Sequence, residues 1–178
     1  FVKRLERLAA CMHVCGYDVN SRIERYGRVL SALEKPHSMA SPVTAIELTD
    51  YEKNSFLAQL QGEVYLMTAR RRNYLILRLD SFLADGAATY DPSILTIEHV
   101  LPQSPEGGWD AFNDRDLETF VYRLGNMAML EAGKNKDIGN KPYAEKRPVL
   151  QQSGLHLTRK LAEENTDWLP ERLDARQK

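Results

Sequence analysis

Two short segments carry the residues best suited to chemistry: Ile97-Glu98-His99-Val100-Leu101-Pro102-Gln103-Ser104, and Leu124-Gly125-Asn126-Met127-Ala128-Met129-Leu130 followed by Lys134-Asn135-Lys136. An acidic residue beside a histidine, a proline three residues later and two asparagines nine positions apart form a set able to hydrolyse a phosphodiester. That reaction needs a water nucleophile, a group to take its proton, and positive charge against the charge building on the phosphate and leaving oxygen. His99 can be the base, because imidazole is largely neutral near pH 7. Glu98 and Asn135 can hold a hard cation, Mg²⁺ or Mn²⁺, through oxygen, and two protein ligands leave room for water and phosphate. Structural zinc fits poorly, since these segments have no cysteine and a single histidine.

The elements that must position this set follow from periodicity and breakers. Val2, Leu5, Leu8, Ala9 and Met12 predict an amphipathic helix that Gly16 ends, and a second helix over Ser21 to Leu33 is expected to be capped by Asn20 or Ser21. Pro36 to Pro42, with His37, reads as a linker. Thr49-Asp50-Tyr51-Glu52 is a capping box for a helix to Gln61, and Thr68 to Leu83 predicts a longer one. Ala84 to Ser93 is the expected internal boundary. Ile94 to Val100 predicts a strand delivering His99. Pro102 to Asn113 predicts a surface loop with Trp109 and Phe112 tucked back, then a short helix to Tyr122. Asn126 to Leu130 reads as a second strand, Asn135 as part of the turn or first helical turn after it, and Lys141 to Leu150 as the helix completing the site. Helices over Leu155 to Glu164 and Asp167 to Arg176 close the chain. Neighbours on a strand face opposite sides, so Glu98 and His99 share a site only if the strand twists or ends there.

With 178 residues, 43% hydrophobic and 28% charged, the chain can bury a core, and its net charge of −1 gives no overall pull on DNA. Between Lys134 and Arg147, however, Lys134, Lys136, Lys141, Lys146 and Arg147 outnumber Asp137 and Glu145, so a basic cluster adjoins the proposed cation and can reach phosphates. Arg70-Arg71-Arg72 is a second basic surface or a solvated helix end. Cys11 and Cys15 read as buried thiols suited to a reducing cytoplasm, and His13 and His156 as packing residues. No membrane-length apolar run or signal peptide is visible. Gly133-Lys134 lacks the Ser or Thr of a phosphate loop, and no Gly-x-Ser-x-Gly elbow occurs.

The segments resemble the His-Me finger (HNH) nucleases, and specifically the C-terminal nuclease domain of GmrSD-type and phosphorothioate-sensing modification-dependent restriction enzymes. Glu98, His99, Pro102, Gln103, Leu124, Gly125, Asn126, Asn135, Asn140 and Lys146 carry the resemblance, and Arg22 to Tyr26, Tyr74 to Leu79, Trp168 and Glu171-Arg172 extend it over most of the chain. The opening motif and the Asn-to-Asn spacing also resemble the HNH domain of RNA-guided Cas9 nucleases. By these resemblances His99 is the general base, Asn126 steadies its imidazole, Glu98 and Asn135 bind the metal, and Pro102, Gln103 and Asn140 support the site. The implied fold is mainly α with a small ββα-metal insertion, an α+β class: a helical support region over 1–90, the finger over 91–150, and C-terminal helices over 151–178.

The implied activity is metal-dependent nicking or cleavage of double-stranded DNA with low sequence specificity, as the cytoplasmic effector of an anti-phage restriction system. Modification sensing and nucleotide hydrolysis fall to an N-terminal domain outside this fragment. The alternatives are a catalytically inactive DNA-binding or subunit-interaction module, and an RNase of the same fold. If an imidazole of ordinary basicity acts as base, cleavage falls as pH drops below roughly 6 to 7.

Overall fold

The computed structural model describes residues 1–34, 43–84 and 91–178. The linker expected at Pro36 to Pro42, with His37, and most of the boundary loop expected at Ala84 to Ser93 lie outside the described residues. The chain divides into two compact units, Phe1–Leu60 and Gln61–Lys178.

The first unit contains α1 (Val2–Val14), α2 (Val19–Leu33) and α3 (Asp50–Gln61), with a short helical turn at Thr44–Ile46. Leu8, Met12, Val29 and Ile46 form its core. Gly16 ends α1 at a φ of 72°, with Gly16 N donating to His13 O and Tyr17 N to Met12 O, the paired bonds of a left-handed helix stop. The cap of α2 is Asp18, not Asn20 or Ser21: its carboxylate accepts from Ser21 N, satisfying a first-turn amide that the expected residues leave open. Thr49 and Glu52 make the reciprocal capping bonds read from the sequence. Glu52 also takes the buried Arg25 guanidinium.

The second unit is mainly helical around a two-stranded antiparallel sheet. α4 (Ala69–Leu83) is followed by β1 (Leu95–His99), α5 (Asp114–Phe120), β2 (Met127–Glu131), α6 (Ala132–Ile138), α7 (Tyr143–Gln151), α8 (His156–Glu164) and α9 (Pro170–Gln177). The register pairs Leu95 with Glu131 and His99 with Met127. Two strands alone are marginal in water. Here Met127, Ala128, Met129 and Leu130 are all buried, so β2 is covered on both faces instead of alternating. Thr158 on α8 closes the free edge, its hydroxyl accepting from Met129 N at 3.1 Å and donating to Met129 O at 2.9 Å. The core gathers Val100, Leu101, Trp109, Leu130, Leu150 and Trp168, so Trp109 does fold back from its loop.

The helix directly after β2 is α6, which carries Asn135. The expected helix over Lys141 to Leu150 is a separate element, α7. Gly139, at a φ of 41°, breaks the two apart, a conformation that side chains disfavour.

Candidate functional site

β1 ends at His99, and that termination resolves the facing problem of adjacent strand residues. Glu98 and His99 both line one cavity of about 280 Å³, together with Ile97, Pro102, Gln103, Ser104, Asn135, Gly139 and Asn140.

Beyond His99 the chain turns into Val100 and Leu101, and Asn126 holds that turn. Leu101 N donates to Asn126 Oδ1 at 2.7 Å, and Asn126 Nδ2 donates to the carbonyls of Leu101 (2.8 Å) and Val121 (3.1 Å). The side chain is fully buried and its hydrogen bonds all run to backbone. The expectation that Asn126 steadies the imidazole is therefore corrected: it fixes the backbone two residues past His99. Gly125 before it is demanded by close approach, since a Cβ there would stand 2.9 Å from Leu173 O.

Asn135 comes to the cavity from α6. Its Nδ2 donates to Ile97 O at 2.8 Å and to Thr96 Oγ1 at 2.9 Å. A carbonyl can only accept, so the amide nitrogen must face β1, and Oδ1 is left with no hydrogen bond among the described residues. Glu98 offers a second such oxygen. Its Oε1 is taken by Lys146 Nζ at 2.5 Å, while Oε2 has no partner among the described residues.

The His99 ring is 9% exposed. The Tyr65 ring meets it edge-on at 4.3 Å between centroids, and Tyr122 stacks on Tyr65 at 5.8 Å. Gln103 Nε2 lies 3.3 Å from its Nε2 and 3.5 Å from its Nδ1. Burial, then the charges of Lys146 and Arg72, push the imidazole down to about 4. It is thus neutral far below the ordinary range, so protonation of this ring is expected well below pH 6 to 7. Burial raises the Glu98 carboxyl and lowers the Lys146 ammonium, while their contact draws each back toward its charged form.

One member of the expected phosphate-binding cluster, Lys146, is corrected, and the half-buried Arg147 has a structural contact as well. Lys146 is fully buried against Glu98 and the His99 carbonyl, so it cannot reach a phosphate outside. Arg147 Nε donates to Ala162 O and Asn165 O, both at 2.9 Å, tying down the C-terminal end of α8. Lys136 and Lys141 are exposed, and Lys134 pairs with Glu131 at 3.0 Å. Asn140 contributes its backbone as well as its place in the wall, since Trp109 Nε1 donates to its carbonyl at 3.3 Å.

Tyr65, Tyr122, Arg72, Thr96 and Thr158 were not singled out as site residues, and only tertiary contact marks them. Lys146 did leave a signal: with Tyr143 and Leu150 it occupies the buried face of α7, at spacings of three and four.

Fold and site together define a helical α+β domain that builds one polar cavity, with a buried neutral imidazole, at the end of a two-stranded sheet. The chain belongs to the family described as the C-terminal domain of GmrSD restriction endonucleases, whose model matches residues 50–178. It is thus a restriction-endonuclease-related domain, a class whose substrate is DNA. No curated protein and no solved structure matches it. Among the described residues, no helix is long and apolar enough to cross a membrane.

Proposed function

We propose that the chain is a metal-dependent DNA endonuclease of the HNH (His-Me finger) type, with β1, β2 and α6 as its ββα-metal finger. The observation carrying this reading is the convergence of the Glu98 carboxylate and the His99 imidazole, from the end of β1, with the Asn135 carboxamide, from α6, on one cavity.

The donor set fits a hard divalent cation such as Mg²⁺ or Mn²⁺. Glu98 Oε2 and Asn135 Oδ1 are oxygen donors without hydrogen-bond partners among the described residues, and they would hold the ion. Among the described residues no group of three or more His, Cys, Asp and Glu is placed to hold a metal ion, so Glu98 and Asn135 would be the protein's ligands in this reading. Such a cation supplies positive charge to the phosphate and leaving oxygen.

The chain's own residues do the rest. His99, kept neutral by its surroundings, accepts a proton from the attacking water at a ring nitrogen. Tyr65 and Gln103 restrict the ring, Asn126 fixes the turn behind it, and Lys146 anchors both Glu98 and the His99 carbonyl. Lys134, Lys136 and Lys141 provide backbone-directed charge, which favours double-stranded DNA with low sequence specificity. In this reading the domain is the cytoplasmic effector of a modification-dependent, anti-phage restriction system, and modification sensing lies in another domain.

Supercoiled plasmid incubated with Mg²⁺ or Mn²⁺ should be nicked or linearised, and EDTA or His99→Ala should abolish this. Equal cutting by wild type and His99→Ala would end the assignment.

A further inference from the structure

Glu98 reaches its cavity already neutralised. Lys146 has no exposed surface; its Nζ donates to Glu98 Oε1 at 2.5 Å and to His99 O at 2.9 Å, and it stands 5.7 Å from the Trp109 ring centroid. Burying a lysine along its whole length is unfavourable unless a partner compensates. A neutral donor on α7 would have satisfied Glu98 Oε1 without bringing a charge.

The consequence lies in the charge of the cavity. Among the described residues Glu98 is the one carboxylate in its wall; Gln103, Ser104, Asn135 and Asn140 carry no charge, and His99 brings no negative charge. An ammonium in direct contact with that carboxylate brings the pair's sum to zero. Oxygen sites gain affinity for hard cations with their carboxylate count, so two donors of no net charge hold a divalent ion weakly.

We propose that Lys146 makes cation uptake conditional on substrate: the cavity retains a divalent cation only together with a nucleic-acid phosphate, which brings the missing negative charge and further oxygen ligands. This rests on the nuclease reading above. Lys146 is then a positioning residue, which offers Glu98 to the ion through Oε2 alone and keeps the free domain unloaded until a backbone arrives.

The probe is Mn²⁺. Calorimetric titration of the free wild-type chain should show binding no tighter than about 1 mM. By thermodynamic reciprocity, anisotropy of a labelled DNA duplex with His99→Ala, which leaves the duplex intact, should show affinity rising roughly tenfold when Mn²⁺ is added. Lys146→Met, checked for folding by circular dichroism, should bind Mn²⁺ without DNA roughly tenfold more tightly than wild type, because the Glu98 charge is then unmatched. Binding of Mn²⁺ by free wild type below about 100 µM, or DNA affinity indifferent to Mn²⁺, overturns the proposal, as does a folded Lys146→Met with unchanged affinity. If Lys146→Met does not fold, the two arms without it decide. Metal-dependent plasmid cutting alongside tight Mn²⁺ binding by the free chain would sink this inference alone. Absence of cutting would sink the nuclease reading itself.

Discussion

Asn126→Ala tests how the site is held together. The side chain serves three backbone groups, Leu101 N, Leu101 O and Val121 O, and is itself fully buried. Truncation strands one amide and two carbonyls where water does not reach. Each stranded buried group costs about 1–3 kcal/mol, and carbonyls fall at the low end, for a total of about 3–5 kcal/mol. Both tryptophans, Trp109 and Trp168, lie in the second unit, so their fluorescence in urea follows that unit by itself. The transition midpoint should drop by about 2 M with the slope unchanged. Asn126→Asp keeps an acceptor for Leu101 N but turns the donor against two carbonyls, and should destabilise at least as much. A loss below about 1 kcal/mol for Asn126→Ala would mean that the turn behind His99 is held by something else, and the assigned role would be withdrawn.

The pH response of cleavage follows from the lowered basicity of His99. With the imidazole pushed down to about 4, protonation of His99 by itself should cost less than about twofold in rate from pH 8 to pH 5, whereas an ordinary imidazole would be only about 3% neutral at pH 5; the Glu98 carboxyl, pushed up to about 7, loses its charge within that range and accounts for any larger fall. A roughly thirtyfold fall over that range that persists in Glu98→Gln would contradict the buried, neutral ring. Arg72→Ala removes one of the charges responsible and should move the acid limb to higher pH. For stability, between about pH 4 and 6.5 the unfolded chain holds a proton on His99 that the folded chain does not. The contribution of this residue is thus complete above the upper value and is lost as pH falls through that window, which His99→Ala should remove from the pH dependence of urea unfolding. On the surface, Lys136→Glu with Lys141→Glu should weaken DNA binding and flatten its salt dependence by about one unit of slope per lost phosphate contact. Arg147→Ala should lower stability and leave that slope unchanged, because its Nε holds α8.

The sequence alone determined whatever is local. The helix stop at Gly16, the Thr49–Glu52 capping box, both strands to within a residue or two and most helix bounds followed from periodicity, turn residues and caps, which act over three to five positions. The pairing of Glu98-His99 with Asn135 as cavity residues was also legible, because each motif carries its chemistry in its residue types. The reading did not resolve α6 as a helix of its own, which Gly139 ends, and it misplaced the cap of α2.

Tertiary structure decided the partners. No local pattern announces that Asn126 bonds the backbone across 25 positions, or that Tyr65 rests against the His99 ring. Charge counting placed Lys146 outside, toward phosphate, because it weighs side chains as if all were solvated. Folding put Lys146 48 positions from its partner in sequence and 2.5 Å from it in space. An ammonium group seeks water or an anion, and which of these it finds depends on what the fold brings to it.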